Sequence, residues 1–430
     1  MITINSSNWK KVFFPIWIGQ LFSLTGSGLV QFALVWWLTR TTGSAVVLAT
    51  ATFVALLPEV FIGPFAGALV DRWNRRLTMI FADSAIALAT IFLAVLFWTG
   101  VVQPWHVFGI LFLRAVGGVF HWPAMQASTA MIVPDEHLGR ISGMNQTVRG
   151  ILNIFTPALG ALLMGLLPLY WVLSVDVITA AIAVLPLLFV LIPQPERADA
   201  AEVVTPRVLW RDVRAGFSYV ASWPGLLMLV LMATLINFVL APTNTLIPLL
   251  VTQHFNGGVW HLGVLESVGG GGVVLGGLVL SVWGGFHKRM LTVMLGVAGI
   301  GAGCLLVGIA PASAFTLALV GMAISGFMSP ICNGTLNAIM MAKVAKNMQG
   351  RVFTLTGAMS SAMIPLSMVI VAPVAQWLGL QVWYWVGGGL VVLMGLGGLL
   401  IPSIMNLEDT QPPAAAVSEA PEGIILFIAK

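Results

Sequence analysis

Twelve apolar runs, each near the roughly 20 residues that carry a helix across a hydrocarbon layer, leave this chain little alternative to a polytopic membrane fold. They occupy 12–39, 45–70, 77–98, 105–124, 144–167 and 170–192, then 224–251, 262–283, 290–310, 315–341, 353–378 and 382–401. Inside a bilayer every backbone N–H and C=O must be satisfied without water, so runs of this length are predicted to be helices. With 59% of residues hydrophobic and 8% charged, a soluble fold would leave far too much apolar surface exposed. Lys10 and Lys11 precede a first run too long for a signal peptide, so it is expected to remain as the first span.

The basic residues fix the expected orientation. Lys10, Lys11, Arg72, Arg75, Arg76, Arg140, Arg197, Arg207, Arg211, Arg214, Lys288, Arg289, Lys343, Lys346, Arg351 and Lys430 all fall on one side of a twelve-span arrangement. The opposite loops hold Arg40 alone. Positive charge is retained in the cytoplasm, so both termini are predicted to be cytoplasmic. Topology thus accounts for the net charge of +4 without a nucleic-acid partner. Trp36, Trp37, Trp98, Trp105, Trp171, Trp260, Trp377, Trp383 and Trp385 fall near the outer ends, as an interfacial belt would.

An offset of about 212 residues lays the first six runs on the last six, which is the mark of an internal repeat. Six spans return the chain to its starting side, so the copies are parallel and a seam lies between them. The expected domains are a six-helix bundle at 1–192, a cytoplasmic linker at 193–223, a second bundle at 224–404 and a disordered tail at 405–430. In the linker Leu209, Val213, Phe217 and Val220 share one helical face, opposite Arg207, Arg211, Arg214 and Ser218. That pattern predicts an amphipathic helix on the membrane surface.

Ionisable groups deep in a bilayer cost several kcal/mol, so each is a functional candidate. Glu59 sits mid-span in the second run and Arg114 mid-span in the fourth; Asp83 and Asp176 lie about two turns into the third and sixth. Glu59 is a candidate proton carrier, and Arg114 must face a cavity or a partner. Asp83 and Asp176 read equally as structural ion-pair or capping groups. Glu266 lies near the outer boundary, within reach of water, and His121 reads as an interfacial histidine. Pro157 and Gly160, in Thr156-Pro-Ala-Leu-Gly-Ala, put a kink beside a small-residue face suited to packing one half on the other, and 269–272 offers the same. Cys304 and Cys332 are isolated, with no metal-site or disulfide spacing. There is no phosphate-binding loop or zinc-type histidine pair, so neither an enzyme nor a cofactor is indicated.

The loop Gly67-Ala-Leu-Val-Asp71-Arg72-Trp-Asn-Arg75-Arg76 joins the second and third runs by a tight charged turn, where Gly67 would let helices approach and Asn74 would tolerate positive φ. A charged loop that only fixes topology would look similar. Together with Arg114-x-x-x-Gly118 and the Pro157 segment, however, it resembles the motifs of the major facilitator superfamily over essentially the whole chain. Asn74, Thr156 and Ala161 stand where that family commonly has glycine. More narrowly, Asn8-Trp-Lys-Lys, Thr42-Gly-Ser-Ala, Phe120-His-x-Pro-Ala, His254-Phe-Asn-Gly and Gly350-Arg-Val-Phe are similar to the bacterial macrolide-efflux branch of the drug:proton antiporters.

The resemblance implies an all-α fold of two six-helix bundles acting as a monomer amid membrane lipids. It further implies that a lipophilic, macrolide-like small molecule is exported against protons by alternating access. Asp71, Arg72 and Arg75 would form a lock between the halves, with Arg76 beside them. The first, fourth, seventh and tenth spans would line the cavity, with Gln20, Gln31, Trp36, Asn237, Asn244 and Asn337 as contacts. Transport of a metabolite or siderophore, or a receptor that moves nothing, remain open on the residues alone.

Overall fold

In the computed structural model, residues 9–190, 192, 206–345 and 348–410 are described, and their regular structure is helical almost throughout. The first half comprises α1 (Trp9–Thr42), α2 (Ala45–Phe61), α3 (Gly63–Arg72), α4 (Arg75–Thr99), α5 (Pro104–Ile132), α6 (Asp135–Leu166) and α7 (Leu169–Phe189). After α8 (Pro206–Ala221) come α9 (Pro224–Leu249), α10 (Val259–Trp283), α11 (Arg289–Ile309), α12 (Phe315–Lys343), α13 (Gln349–Leu378), α14 (Gln381–Leu399) and the short α15 (Pro402–Met405). Eleven of the described helices are long and apolar enough to span a membrane. The twelfth crossing is α2 and α3 in series, because the second run breaks at Ile62 between Pro58 and the Gly63-Pro64 that starts α3. Proline removes a helical N–H and crowds the preceding turn, which is why this span is jointed.

The repeat holds element by element. Adding 212 carries α1 onto α9 and the π-helical turn Leu250–His254, carries α2 with α3 onto α10, and α4 through α7 onto α11 through α14. Packing repeats as well: α4 lies against α5 and α7 as α11 lies against α12 and α14. Across the seam α6 packs on α10 and α13 on α2, two contacts that exchange under the same correspondence. The halves are therefore related by a pseudo-two-fold axis through the seam.

Where the buried cores mix reveals how the halves are set. At the face carrying the α1–α2 turn, Phe32, Trp36 and Ala161 of the first half share a core with Ile247, Leu250, Phe255 and Leu262 of the second. Ala45 and Leu48 likewise pack with Leu246, Leu249, Val371 and Ala375, and Gln253 Nε2 donates to the Gly43 carbonyl at 2.8 Å. At the opposite face each half has its own core, around Trp9, Phe13 and Met79 in one and Tyr219, Met290 and Met340 in the other. The bundles are sealed at the first face and splayed at the second, the face where α1 begins.

Several expectations change. Asn74 has φ −70° and does not use positive φ; its side chain accepts the Leu77 N–H at 3.1 Å and caps α4. Asn74→Ala is expected to lower stability by about 1 kcal/mol, read as a lower midpoint in denaturant with unchanged slope. A Cβ on Gly67 would meet nothing within 4 Å, so no close helix approach depends on it here. Of the linker, 193–205 lies outside the described residues. In α8 Tyr219 and Val220 are buried on the second half, while Val213 and Phe217 stay exposed. The tail packs beyond 405: Leu407 is 1% exposed in the second-half core, Glu408 accepts from the Met290 N–H, and Lys343 Nζ donates to the Glu408 carbonyl. Residues 411–430 lie outside the described ones. Of the tryptophans, Trp98, Trp105, Trp171, Trp260, Trp377 and Trp385 are exposed as a belt requires, but Trp36 is 7% exposed inside the seal.

Candidate functional site

Between the splayed halves lies a cavity of about 1290 Å³. Its walls are largely aliphatic, including Leu24, Phe32, Leu152, Met232, Ile236, Val297 and Met322, with the amides of Gln31, Asn153, Asn237, Asn244 and Asn333 spaced among them. Such a surface desolvates a lipophilic molecule over a broad area while sparse polar groups orient it. Gln31, Asn237, Asn244 and Pro157 are lining residues, as expected. Gln20, Trp36 and Asn337 are not: Gln20 is buried against Asp83, Trp36 closes the seal, and Asn337 is exposed on α12 one turn beyond the lining residue Asn333. The expected spans α1, α5, α9 and α12 all contribute, α5 through Trp122, but the set is incomplete, because α6, α10 and α11 contribute walls as well.

Among the described residues two charged groups line this space, and the sequence favours neither as a proton or substrate site. Glu266 on α10, set aside above as a boundary residue, lines the cavity. Arg149 on α6 also lines it, its guanidinium 4.0 Å from the centre of the Trp122 ring in a cation–π contact. Arg149 is the single charge within the run 144–167, so the rule that singled out Arg114 applied to it equally.

The walls meet along α6 and α10. A Cβ on Gly270 would sit 2.6 Å from the Asn153 carbonyl oxygen, and one on Gly263 would sit 2.9 Å from that of Pro157. Ser267 Oγ donates to the Ile154 carbonyl at 2.7 Å, so backbone-level approach continues along the seam. Gly160 serves a different contact, because its Cβ would strike Phe32 of α1 within its own half.

Behind the cavity wall the first half carries a two-tier polar network. In the outer tier Arg114 Nη1 lies 2.5 Å from Asp176 Oδ2 and donates to Thr90 Oγ1 at 2.7 Å, while Ser27 Oγ donates to Asp176 Oδ1 at 3.1 Å. In the inner tier Gln20 Nε2 donates to Asp83 Oδ2 at 3.2 Å, with His121 Nε2 3.4 Å from the same oxygen. Gln20 and Ser27, Asp83 and Thr90, and Arg114 and His121 are each seven residues apart, two helical turns or ~10.5 Å. Three helices therefore stack the tiers in register. Arg114 meets a partner and not the cavity, and His121 is part of a cluster. The second half has no counterpart: Leu295, Ala302, Gly326 and Gly388 stand 212 residues from Asp83, Thr90, Arg114 and Asp176. There the helices close by glycine contact, a Cβ on Gly388 falling 2.8 Å from the Gly301 carbonyl.

Glu59 lies exposed in the last turn of α2 and is not among the cavity-lining residues. In the charged loop Arg75 is 7% exposed and donates to the Ala127 carbonyl at 3.3 Å, and Arg76 donates to the carbonyls of Leu187 and Leu188 at 2.5 and 2.7 Å. These contacts stay within the first half, and Arg72 is exposed. The Asp71 side chain lies outside the described residues.

A family model described as Major Facilitator Superfamily matches residues 16–366. Macrolide efflux protein A of Streptococcus pyogenes is 34% identical over 402 residues, covering 94% of this chain and 98% of that protein. The multidrug efflux pump Tap of Mycolicibacterium fortuitum is 24% identical over 404 residues, covering 90% and 95%. Among solved structures, the nucleoside transporter NupG superposes with a TM-score of 0.66 at 14% identity over 88% of this chain and 97% of that one. A bacterial homolog of the human lysosomal transporter Spinster, in an inward-facing and unoccupied conformation, gives 0.64 at 12% identity over 94% and 97%. At such identities these two structures speak to the fold alone.

Proposed function

Because the chain belongs to the major facilitator superfamily, whose members carry solutes across membranes, we propose that it exports lipophilic, macrolide-like drugs in exchange for protons by alternating access. The observation that carries this reading is the cavity between the halves, large, mainly apolar, sealed at one face and splayed at the other. Rocking of the bundles about their pseudo-two-fold would open the sealed face and close the splayed one. The relationship to a macrolide efflux protein over nearly the full length supports the substrate class. With both termini cytoplasmic, the splayed face is the cytoplasmic one and is poised to load.

For proton coupling, the inner-tier cluster of Asp83, His121 and Gln20 is the favoured site. Asp83 is 4% exposed with His121 Nε2 3.4 Å from its carboxylate, whereas Asp176 is committed to Arg114. The charged loop is the candidate lock between the halves, with Asp71, Arg72 and Arg75 as its members.

The test is uptake of a labelled macrolide into inverted vesicles. An imposed inward-acid gradient should accelerate uptake in the native protein, and Asp83→Asn should remove at least tenfold of that acceleration while leaving equilibrium drug binding in place. Glu59→Gln is the comparison variant. Uptake that ignores the gradient would exclude antiport, and retention of coupling in Asp83→Asn alongside its loss in Glu59→Gln would move the proton site to Glu59.

A further inference from the structure

We infer that Glu266 is the recognition group for a protonated amine, so that the cavity selects cationic lipophilic molecules over neutral ones of the same shape. This rests on the export reading and names its substrate class. Among the described residues Glu266 is the one carboxylate that lines the cavity. Among the described residues no hydrogen bond or ion pair reaches it, whereas Asp176 holds Arg114 and Asp83 lies against Gln20 and His121. An acid without a protein partner in an apolar wall is costly to retain, and a ligand that brings the missing positive charge gains a charge-assisted hydrogen bond in a medium where water competes weakly.

The seam fixes where that charge must go. Gly263 lies against Pro157 and Ser267 against Ile154, so Glu266 stands near the level of residues 154–155, about one helical turn below Leu262 in the seal. Arg149 is five residues from Ile154 along α6, or ~7.5 Å toward the open face. The start of α6 marks that face, where the His137 and Trp9 rings stack at 5.2 Å. The cavity is thus polarised, with its acid at the closed end and its guanidinium nearer the mouth, held on Trp122. A cation repelled by Arg149 and drawn to Glu266 lies deep, and hydrogen-bond acceptors at the other end of the molecule lie toward Arg149. The substrate that fits is an elongated amphiphile with a tertiary amine at one end and neutral carbonyl or hydroxyl oxygens at the other.

The experiment compares binding of erythromycin, which carries a protonated dimethylamino group, with an N-demethyl-N-acetyl derivative in which the same nitrogen is neutral. Both are measured on purified full-length protein by equilibrium dialysis. The native protein should hold the amine at least tenfold more tightly, in keeping with the about ten- to hundredfold value of a charge-assisted bond. Glu266→Gln should erase that preference while binding the neutral derivative as before, and Glu266→Asp should keep part of it. Persistence of the preference in Glu266→Gln would overturn the assignment. So would an equal loss of both compounds, which would make Glu266 a shape-determining residue. A native protein that binds neither compound overturns the macrolide-like export reading itself, an outcome distinct from either of those.

Discussion

Arg114→Leu is expected to destabilise the protein by about 3–5 kcal/mol, because it leaves Asp176 buried with its strongest partner removed. The side chains are 9% and 1% exposed, so solvent does little to screen the pair. Ser27 and Thr90 remain as hydroxyl partners, yet neither carries charge. The measurement is thermal or denaturant unfolding in detergent. The informative companion is Arg114→Leu with Asp176→Leu, which removes both charges and is expected to recover much of the loss, since paired burial itself gains little over apolar packing. A single variant as stable as the native protein would show that the pair does not hold α5 to α7.

Gly270→Leu is expected to abolish transport while costing about 1–3 kcal/mol of stability, the range for forcing bulk into a packed interface. Its Cβ alone would stand 2.6 Å from the Asn153 carbonyl, on backbone that cannot rotate away. The neighbouring Gly271, whose added Cβ meets nothing within 4 Å, is the control: Gly271→Leu should transport normally. Both variants add the same side chain to the same helix, so a difference between them isolates the α6–α10 seam from hydropathy and helix propensity. If Gly270→Leu moves substrate at the native rate, the halves do not turn on that contact.

The spans, their number and the parallel repeat were legible because hydropathy acts over whole segments. The 212-residue offset, read from matched runs, holds for every helix pair. The joint in the second span was signalled by Pro58 and Pro64 but is invisible to a hydropathy window, which averages across it. Asn74 was assigned the wrong virtue: Asn serves both positive φ and helix capping, and only the backbone around it distinguishes the two. Residue type and helix position are equally ambiguous for the cavity glutamines. Gln20 and Gln31 lie eleven residues apart, close to three turns of one helix, yet one is buried on Asp83 and the other faces the cavity.

Composition, periodicity and charge placement by themselves determined a twelve-crossing pair of like-facing bundles, since bilayer solvation prices each segment separately and without reference to its neighbours. Which ionisable groups are partnered and which are exposed to a ligand was decided only by tertiary structure. Arg114 and Asp176 are 62 positions apart, and Glu266 and Arg149 line one cavity from different halves of the chain. A charge in a membrane is satisfied across helices and not along them, so its role depends on which faces the packing turns together.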